Sequence, residues 1–264
     1  MQHREKIGAA ILAAGAVVAT LGAACKKPQS DAGEARSSAT VHAAEIPATP
    51  PPPSPRARSG AIDAVEVGGD RAVLVIEGAD TRRPIVFLHG MCSEPRGDLE
   101  AWGASVSAHG TVIALLGDKA CPGSPEAYTW TVDPVAIDAR IDAAVEVVRG
   151  RGTELDERRL VVIGESMGAS RAEALARRFP ARYGRLVLVG GPDTPSAKSL
   201  GAARKVALLA GEKEPQDKMR RGEAGLAAAG IAARFWELPD ATHGTYGTEG
   251  RERMSEAVAF VVSD

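Results

Sequence analysis

From residue 60 onward, short apolar runs alternate with longer amphipathic stretches. Residues 62–67 and 72–77 alternate apolar and polar side chains around Gly68-Gly69-Asp70, a pattern that predicts a β-hairpin. The runs at 85–88, 112–116, 160–163, 186–189, 206–210 and 233–237 are short and rich in Val, Leu and Ile, as buried strands are. Between them, residues 98–108, 134–149, 167–179, 218–229 and 249–262 carry the periodicity of helices with one apolar face. A hairpin followed by strand–helix repeats predicts an α/β fold: an open, mostly parallel sheet with helices on both faces. In such a sheet the strand-to-helix loops open at the carboxyl edge, and sites form there. The stretch 191–204 between two strands is too short to hold a large lid.

The first 59 residues follow another pattern. Arg4 and Lys6 precede an almost wholly apolar run, 7–24, that ends Gly22-Ala23-Ala24-Cys25. A basic start, an apolar middle and a small-residue end describe an export signal. A membrane span is the alternative, made weaker by the Ala/Gly-rich composition of the run. The ending resembles a bacterial lipobox with Cys25 as the lipidated residue. It departs from that pattern in having Gly22 where a large aliphatic residue is usual, with Leu21 one place early. Ordinary cleavage after Ala24 is the competing reading. Residues 26–59 are rich in Ala, Ser, Thr and Pro, including Pro47, Pro50, Pro51, Pro52, Pro53 and Pro55. They cannot bury a core and read as an extended tether. The expected organisation is a signal over 1–25, a tether over 26–59 and a folded domain over 60–264. The expected location is outside the cytoplasm, as an envelope lipoprotein or a periplasmic or extracellular protein.

Composition narrows the chemistry. A formal net charge of −2 gives no electrostatic basis for a nucleic-acid partner. With aromatics at 4%, the core must be built from aliphatic side chains. Of the three cysteines, Cys92 and Cys121 remain once Cys25 is set aside. They fall in neighbouring loops on one edge of the expected sheet, and an exported domain meets an oxidising environment. A Cys92–Cys121 disulfide is therefore expected, with two unrelated buried thiols as the alternative. The histidines and cysteines lack metal-ligand spacing, and no phosphate-binding glycine fingerprint follows the first repeat strand. No cofactor or metal is expected.

Gly164-Glu165-Ser166-Met167-Gly168 joins the run 160–163 to the helix beginning at Met167. This G-x-S-x-G pattern between strand and helix is that of a nucleophile elbow. The glycines allow a turn too tight for side chains, and the helix N-terminus favours negative charge beside the serine. The pattern alone is common in a Gly-rich chain, and Ser166 as a plain helix cap is the alternative. The flanking strand and helix favour the elbow.

With His89-Gly90-Met91 directly after the run 85–88, and Asp240-Ala241-Thr242-His243-Gly244 after the last strand, the domain resembles the α/β-hydrolase superfamily from Ile62 to the C-terminus. It is similar to its small dienelactone-hydrolase-like and carboxylesterase-like members. The resemblance implies that Ser166 is the nucleophile. It implies that the Met91 and Met167 amides form the oxyanion hole. His243 follows the last strand, where this superfamily keeps its catalytic imidazole, whereas His3, His42 and His109 lie elsewhere and His89 reads as a structural support of its loop. The acid is expected just past the preceding strand. Glu214, in Gly211-Glu212-Lys213-Glu214, matches that position, with Asp217 and Asp193 as alternatives.

The loop 117–133 carries Tyr128 and Trp130. These are expected either to form an acyl or aromatic subsite or to anchor the loop by packing. The expected activity is hydrolysis of carboxylic esters through an acyl-enzyme on Ser166, with a small-molecule or acyl substrate and a possible lipid anchor to a membrane. A peptidase or acyltransferase would use the same residues. A non-catalytic, surface-tethered binding protein on the same scaffold is the rival from another class.

Overall fold

The computed structural model describes residues 60–80 and 82–263. The export signal, the lipidated Cys25 and the tether lie outside the described residues.

Strands β1 (Asp63–Val65) and β2 (Val73–Ile76) form the expected antiparallel hairpin. After β3 (Pro84–Leu88) the chain makes α1 (Arg96–Asp98), a π-helical turn (Leu99–Gly103) and α2 (Ala104–Val106) without interruption. The expected helix over 98–108 is therefore widened in its middle. That spacing buries Leu99, Trp102 and Val106 together against the sheet. Next come β4 (Thr111–Leu115), β5 (Lys119–Cys121) and β6 (Ser124–Thr129). The segment read as a loop thus contains a two-stranded hairpin turning on Pro122-Gly123, with Gly123 at φ 77°. Pro followed by a positive-φ Gly is the chemistry of a type II turn.

The rest alternates as expected: α3 (Pro134–Gly150), β7 (Val161–Glu165), α4 (Met167–Arg178), β8 (Arg185–Val189), α5 (Ala197–Leu200), β9 (Lys205–Gly211), α6 (Asp217–Ala228), β10 (Ala232–Leu238) and α7 (Gly250–Val262). The eight-stranded sheet has the order β1-β2-β4-β3-β7-β8-β9-β10. From β4 to β10 every neighbouring pair is parallel, and β2 joins β4 antiparallel. The four-residue α5 is all that occupies the stretch where a lid could sit.

Side chains alternate across the strands, so each strand feeds two cores. Val86, Leu88 and Val162 face α3, α4 and α6, packing with Ile141, Leu175 and Leu226. Ile85, Phe87, Val161 and Ile163 face the other side, with Trp102, Met254 and Val258. Each such aliphatic side chain contributes roughly 1.5–3 kcal/mol on burial. Among the described residues, no helix is long and apolar enough to cross a membrane.

Candidate active site

The carboxyl edge gathers the loops after β3, β7, β8, β9 and β10. At its centre Ser166 holds φ 50°, ψ −113°, a strained conformation that costs on the order of 1–3 kcal/mol. The surrounding packing enforces it. A Cβ on Gly168 would drive into the Leu88 carbonyl, and one on Gly164 into the backbone at Gly168. The start of α4 can therefore press against the end of β3, which brings the loop carrying Met91 beside the elbow. Met167 is the first residue of α4, so its N–H has no acceptor within the helix. The Ser166 N–H is spent on the Val189 carbonyl at 2.8 Å.

His243 sits on the turn Thr242–Thr245, closed by a Thr245 N–H to Thr242 carbonyl bond of 3.1 Å and by Gly244 at φ 76°. Its Nε2 lies 2.9 Å from Ser166 Oγ, and its Nδ1 lies 2.6 Å from Glu214 Oε2. An ionised carboxylate only accepts, so Nδ1 carries the proton and Nε2 accepts from the serine hydroxyl. The Gly211 N–H donates to the other Glu214 oxygen at 2.7 Å. This short loop fixes the acid, whose side chain is only 10% exposed against 53% for His243. Gly190, at φ 55°, leaves room for the ring: a Cβ there would stand 3.2 Å from the imidazole. Of the three candidate acids, Glu214 meets the histidine. Asp217 instead pairs with Arg221 at 2.6 Å, and Asp193 is exposed.

His89 is wholly buried. It accepts from the Gly117 N–H at 2.8 Å and so donates from Nδ1 to the Gly90 carbonyl at 2.7 Å. Burial holds its pKa down to about 4, so it remains a neutral strut that orients the Gly90–Met91 peptide. Met91 is 62% exposed beside the site.

The β5–β6 hairpin is fastened to the same loop. Cys92 and Cys121 form a disulfide, and Ser93 and Tyr128 exchange backbone bonds of 3.2 and 2.9 Å. Trp130 is 3% exposed and donates from Nε1 to the His89 carbonyl at 2.8 Å. The structure gives Trp130 the anchoring role rather than that of a substrate wall. Tyr128 is half-buried, with one face of its ring under the Arg71 guanidinium at 4.2 Å. The hairpin reaches the elbow through Thr129, whose Oγ1 lies 3.2 Å from Met167 Sδ.

Three polar residues of the site escaped sequence reasoning. Glu165, the last residue of β7, is buried with Oε1 3.9 Å from His243 Nε2. Burial foremost, with Asp98 nearby, pushes its pKa up to about 7. Asp98 accepts from the Tyr246 hydroxyl at 2.9 Å, and its own burial raises it to about 6. Glu165 stood within the elbow motif, where a charged residue ahead of a buried turn is a usable signal. Asp98 and Tyr246 are 148 positions apart and carry no local signal. Among the described residues there is no cluster of His, Cys, Asp and Glu suited to hold a metal ion.

The sheet order, the elbow and the placement of Ser166, His243 and Glu214 define the α/β-hydrolase fold, and the chain has that fold. It is similar to TT1662 from Thermus thermophilus, with 14% identity and a TM-score of 0.55, over 77% of this chain and 98% of that one. It is similar to esterase PE8, with 20% identity and a TM-score of 0.52, over 71% of this chain and 97% of that one. It is similar to esterase Est22, with 15% identity and a TM-score of 0.54, over 76% and 79%. No family model matches the sequence, and no curated protein matches it.

Proposed function

We propose that the domain is a serine hydrolase that cleaves carboxylic esters. The observation that carries this reading is the continuous chain of hydrogen bonds from Ser166 through His243 to Glu214. PE8 and Est22, which share the fold, are esterases, and this agrees with the reading.

In the proposed mechanism Ser166 Oγ attacks the ester carbonyl carbon while its proton passes to His243 Nε2. Glu214 keeps the ring in the required tautomer and stabilises the imidazolium. The Met91 and Met167 amides receive the oxyanion, a contribution of several kcal/mol to the barrier. When the tetrahedral intermediate collapses, the carbon–oxygen bond to the alcohol breaks and Nε2–H protonates the departing oxygen. Water then gives a proton to Nε2 and its oxygen attacks the acyl carbon. The acid leaves and Ser166 regains its proton. The half-exposed histidine and the short stretch over β8–β9 favour an open site without a lid.

The same reading places the protein outside the cytoplasm, directed there by the N-terminal signal and held by lipid on Cys25. The disulfide suits an oxidising compartment. Palmitate labelling lost on Cys25→Ala is the expected result for the anchor. For the activity, a fluorophosphonate should label the wild type and not Ser166→Ala, and p-nitrophenyl esters of graded acyl length should be hydrolysed. An unlabelled wild type would leave the non-catalytic binding module as the better account.

A further inference from the structure

We infer that Glu165 is a second carboxylate of the site, a positioning residue that stabilises the His243 imidazolium at its Nε2 end and packs against the oxyanion loop at Gly90. This rests on the proposed roles of Ser166 and His243.

Strand alternation points the Glu165 side chain away from α4, toward the face covered by α1, α2 and α7 (Ile163, two residues earlier, faces that core). There the side chain is 7% exposed. A carboxylate in such a place is normally paired with a cation. The groups that face Glu165 are different. Asp98 comes from α1, and Glu214 from the loop after β9. His243 comes from the loop after β10, and the Gly90 backbone, on which Glu165 Oε2 packs, from the loop after β3. Tyr246, also from the loop after β10, faces it as a phenol that burial keeps protonated, and Glu94 lies beyond, acting on Asp98. Of these groups only His243 can become positive. It does so in the proposed mechanism when Nε2 receives the serine proton, 3.9 Å from Glu165 Oε1.

Gly90 shows how closely the loop is fitted to this acid. A Cβ on Gly90 would collide with Glu165 Oε2. One carboxyl thus touches the loop that carries Met91 and faces the imidazole that moves the proton. If Glu165 served only to pack against Gly90, a glutamine would do as well. If its charge matters, glutamine cannot replace it.

The test is the rate at which a fluorophosphonate labels the full chain between pH 5.5 and 9. The wild-type rate should rise with pH across this range as the site loses protons. Glu165→Gln should label about tenfold more slowly at pH 8, the equivalent of one pH unit of differential interaction, while keeping its near-UV spectrum. Glu165→Asp, which keeps the charge, should label faster than Glu165→Asn, which has the same size without it. A merely structural contact would not separate that pair, and the pair carries the test should Glu165→Gln fail to fold. A Glu165→Gln protein with the wild-type rate overturns the inference, as does a Glu165→Asp protein no faster than Glu165→Asn. If the wild type is not labelled at any pH, the Ser166 reading fails and this inference with it.

Discussion

The two edges of the sheet treat charge and strain in opposite ways. At the amino edge, Asp80 pairs with Arg83 at 3.1 Å and Arg159 at 2.6 Å, and Glu157 pairs with Arg149 at 3.0 Å and Arg182 at 2.9 Å. Acids there meet guanidinium groups. At the carboxyl edge Glu214, Glu165 and Asp98 meet a backbone amide, an imidazole and a phenol instead. The described non-glycine residues with positive φ, Cys92, Ser166 and Asp240, all lie in the loops of this edge. Each strained residue costs of order 1–3 kcal/mol. A cleft of about 370 Å³ lies at the amino edge, between Arg82 and Asp156. Open volume alone therefore points to the end opposite the one where chemistry is proposed. Strain, and acids that meet an imidazole or a phenol, mark the end where chemistry is proposed.

The largest effect should come from neutralising the acid that meets His243. Glu214→Gln should lower the rate of ester hydrolysis by about 10⁴-fold, as loss of the triad acid does elsewhere, because the amide favours the wrong imidazole tautomer. Asp217→Asn and Asp193→Asn should stay within about twofold. Comparable losses in all three would mean that the loop charge matters in bulk, and the contrast between the edges would lose its basis in specific pairs.

Next comes the disulfide, which spans 29 residues. A chain-entropy argument gives it about 3.5 kcal/mol of stability. The double variant Cys92→Ser, Cys121→Ser should lose a comparable amount in urea unfolding. It should also label Ser166 more slowly, because Cys92 directly follows Met91. A fall in stability with an unchanged labelling rate would reduce the hairpin to a staple.

How much of this was legible in the sequence depends on the range of each contact. The repeat strands and most helices followed from local periodicity, and the elbow from five consecutive residues. Glu214 followed from the resemblance, which puts the acid just past β9, yet the choice over Asp217 depends on how the loop bends once Gly211 donates to the carboxylate. The β5–β6 hairpin had a usable signal in Pro122-Gly123 that its polar strands concealed. The π turn shifts the helical register by a single residue, too little to see in the apolar pattern. Trp130 could be placed only once the His89 carbonyl was known to lie against it. The buried acids behind the elbow come from distant segments, so composition and spacing could not bring them together.

Those acids make the next prediction. The Glu165 pKa rises from 4.5 to about 7 on folding, so between these values the folded chain keeps a proton that the unfolded chain has released. The stabilisation is full below pH 4.5 and is lost as the pH rises through 7. The shift corresponds to on the order of 3 kcal/mol. Glu165→Gln and the wild type should be about equally stable at pH 5, and the variant should be the more stable by pH 8. His89, whose pKa is lowered, changes stability in the opposite sense as the pH falls, but it is common to both proteins and cancels in the difference. Urea midpoints at the two pH values decide the matter. A gap that does not depend on pH would mean that Glu165 is ionised or solvated throughout.

The smallest effect should lie at the other edge. Asp80→Asn removes a partner from Arg83 and Arg159, whose side chains are 13% and 34% exposed. Arg83 also donates to the His109 carbonyl at 2.7 Å, so its position does not depend on the carboxylate alone. Half-exposed pairs of this kind contribute up to about 1 kcal/mol. A drop of that size in urea unfolding is expected, with the rate of Ser166 labelling unchanged. The ion pairs here neutralise charge and fasten the starts of β3 and β7, while the chemistry is proposed at the far ends of those strands. The intervening strands are fully buried and closely packed, so a local loosening at one rim is not expected to reach the other. A labelling rate that followed the stability loss would show the two edges to be coupled through β3 and β7, and the division of labour between them would have to be redrawn.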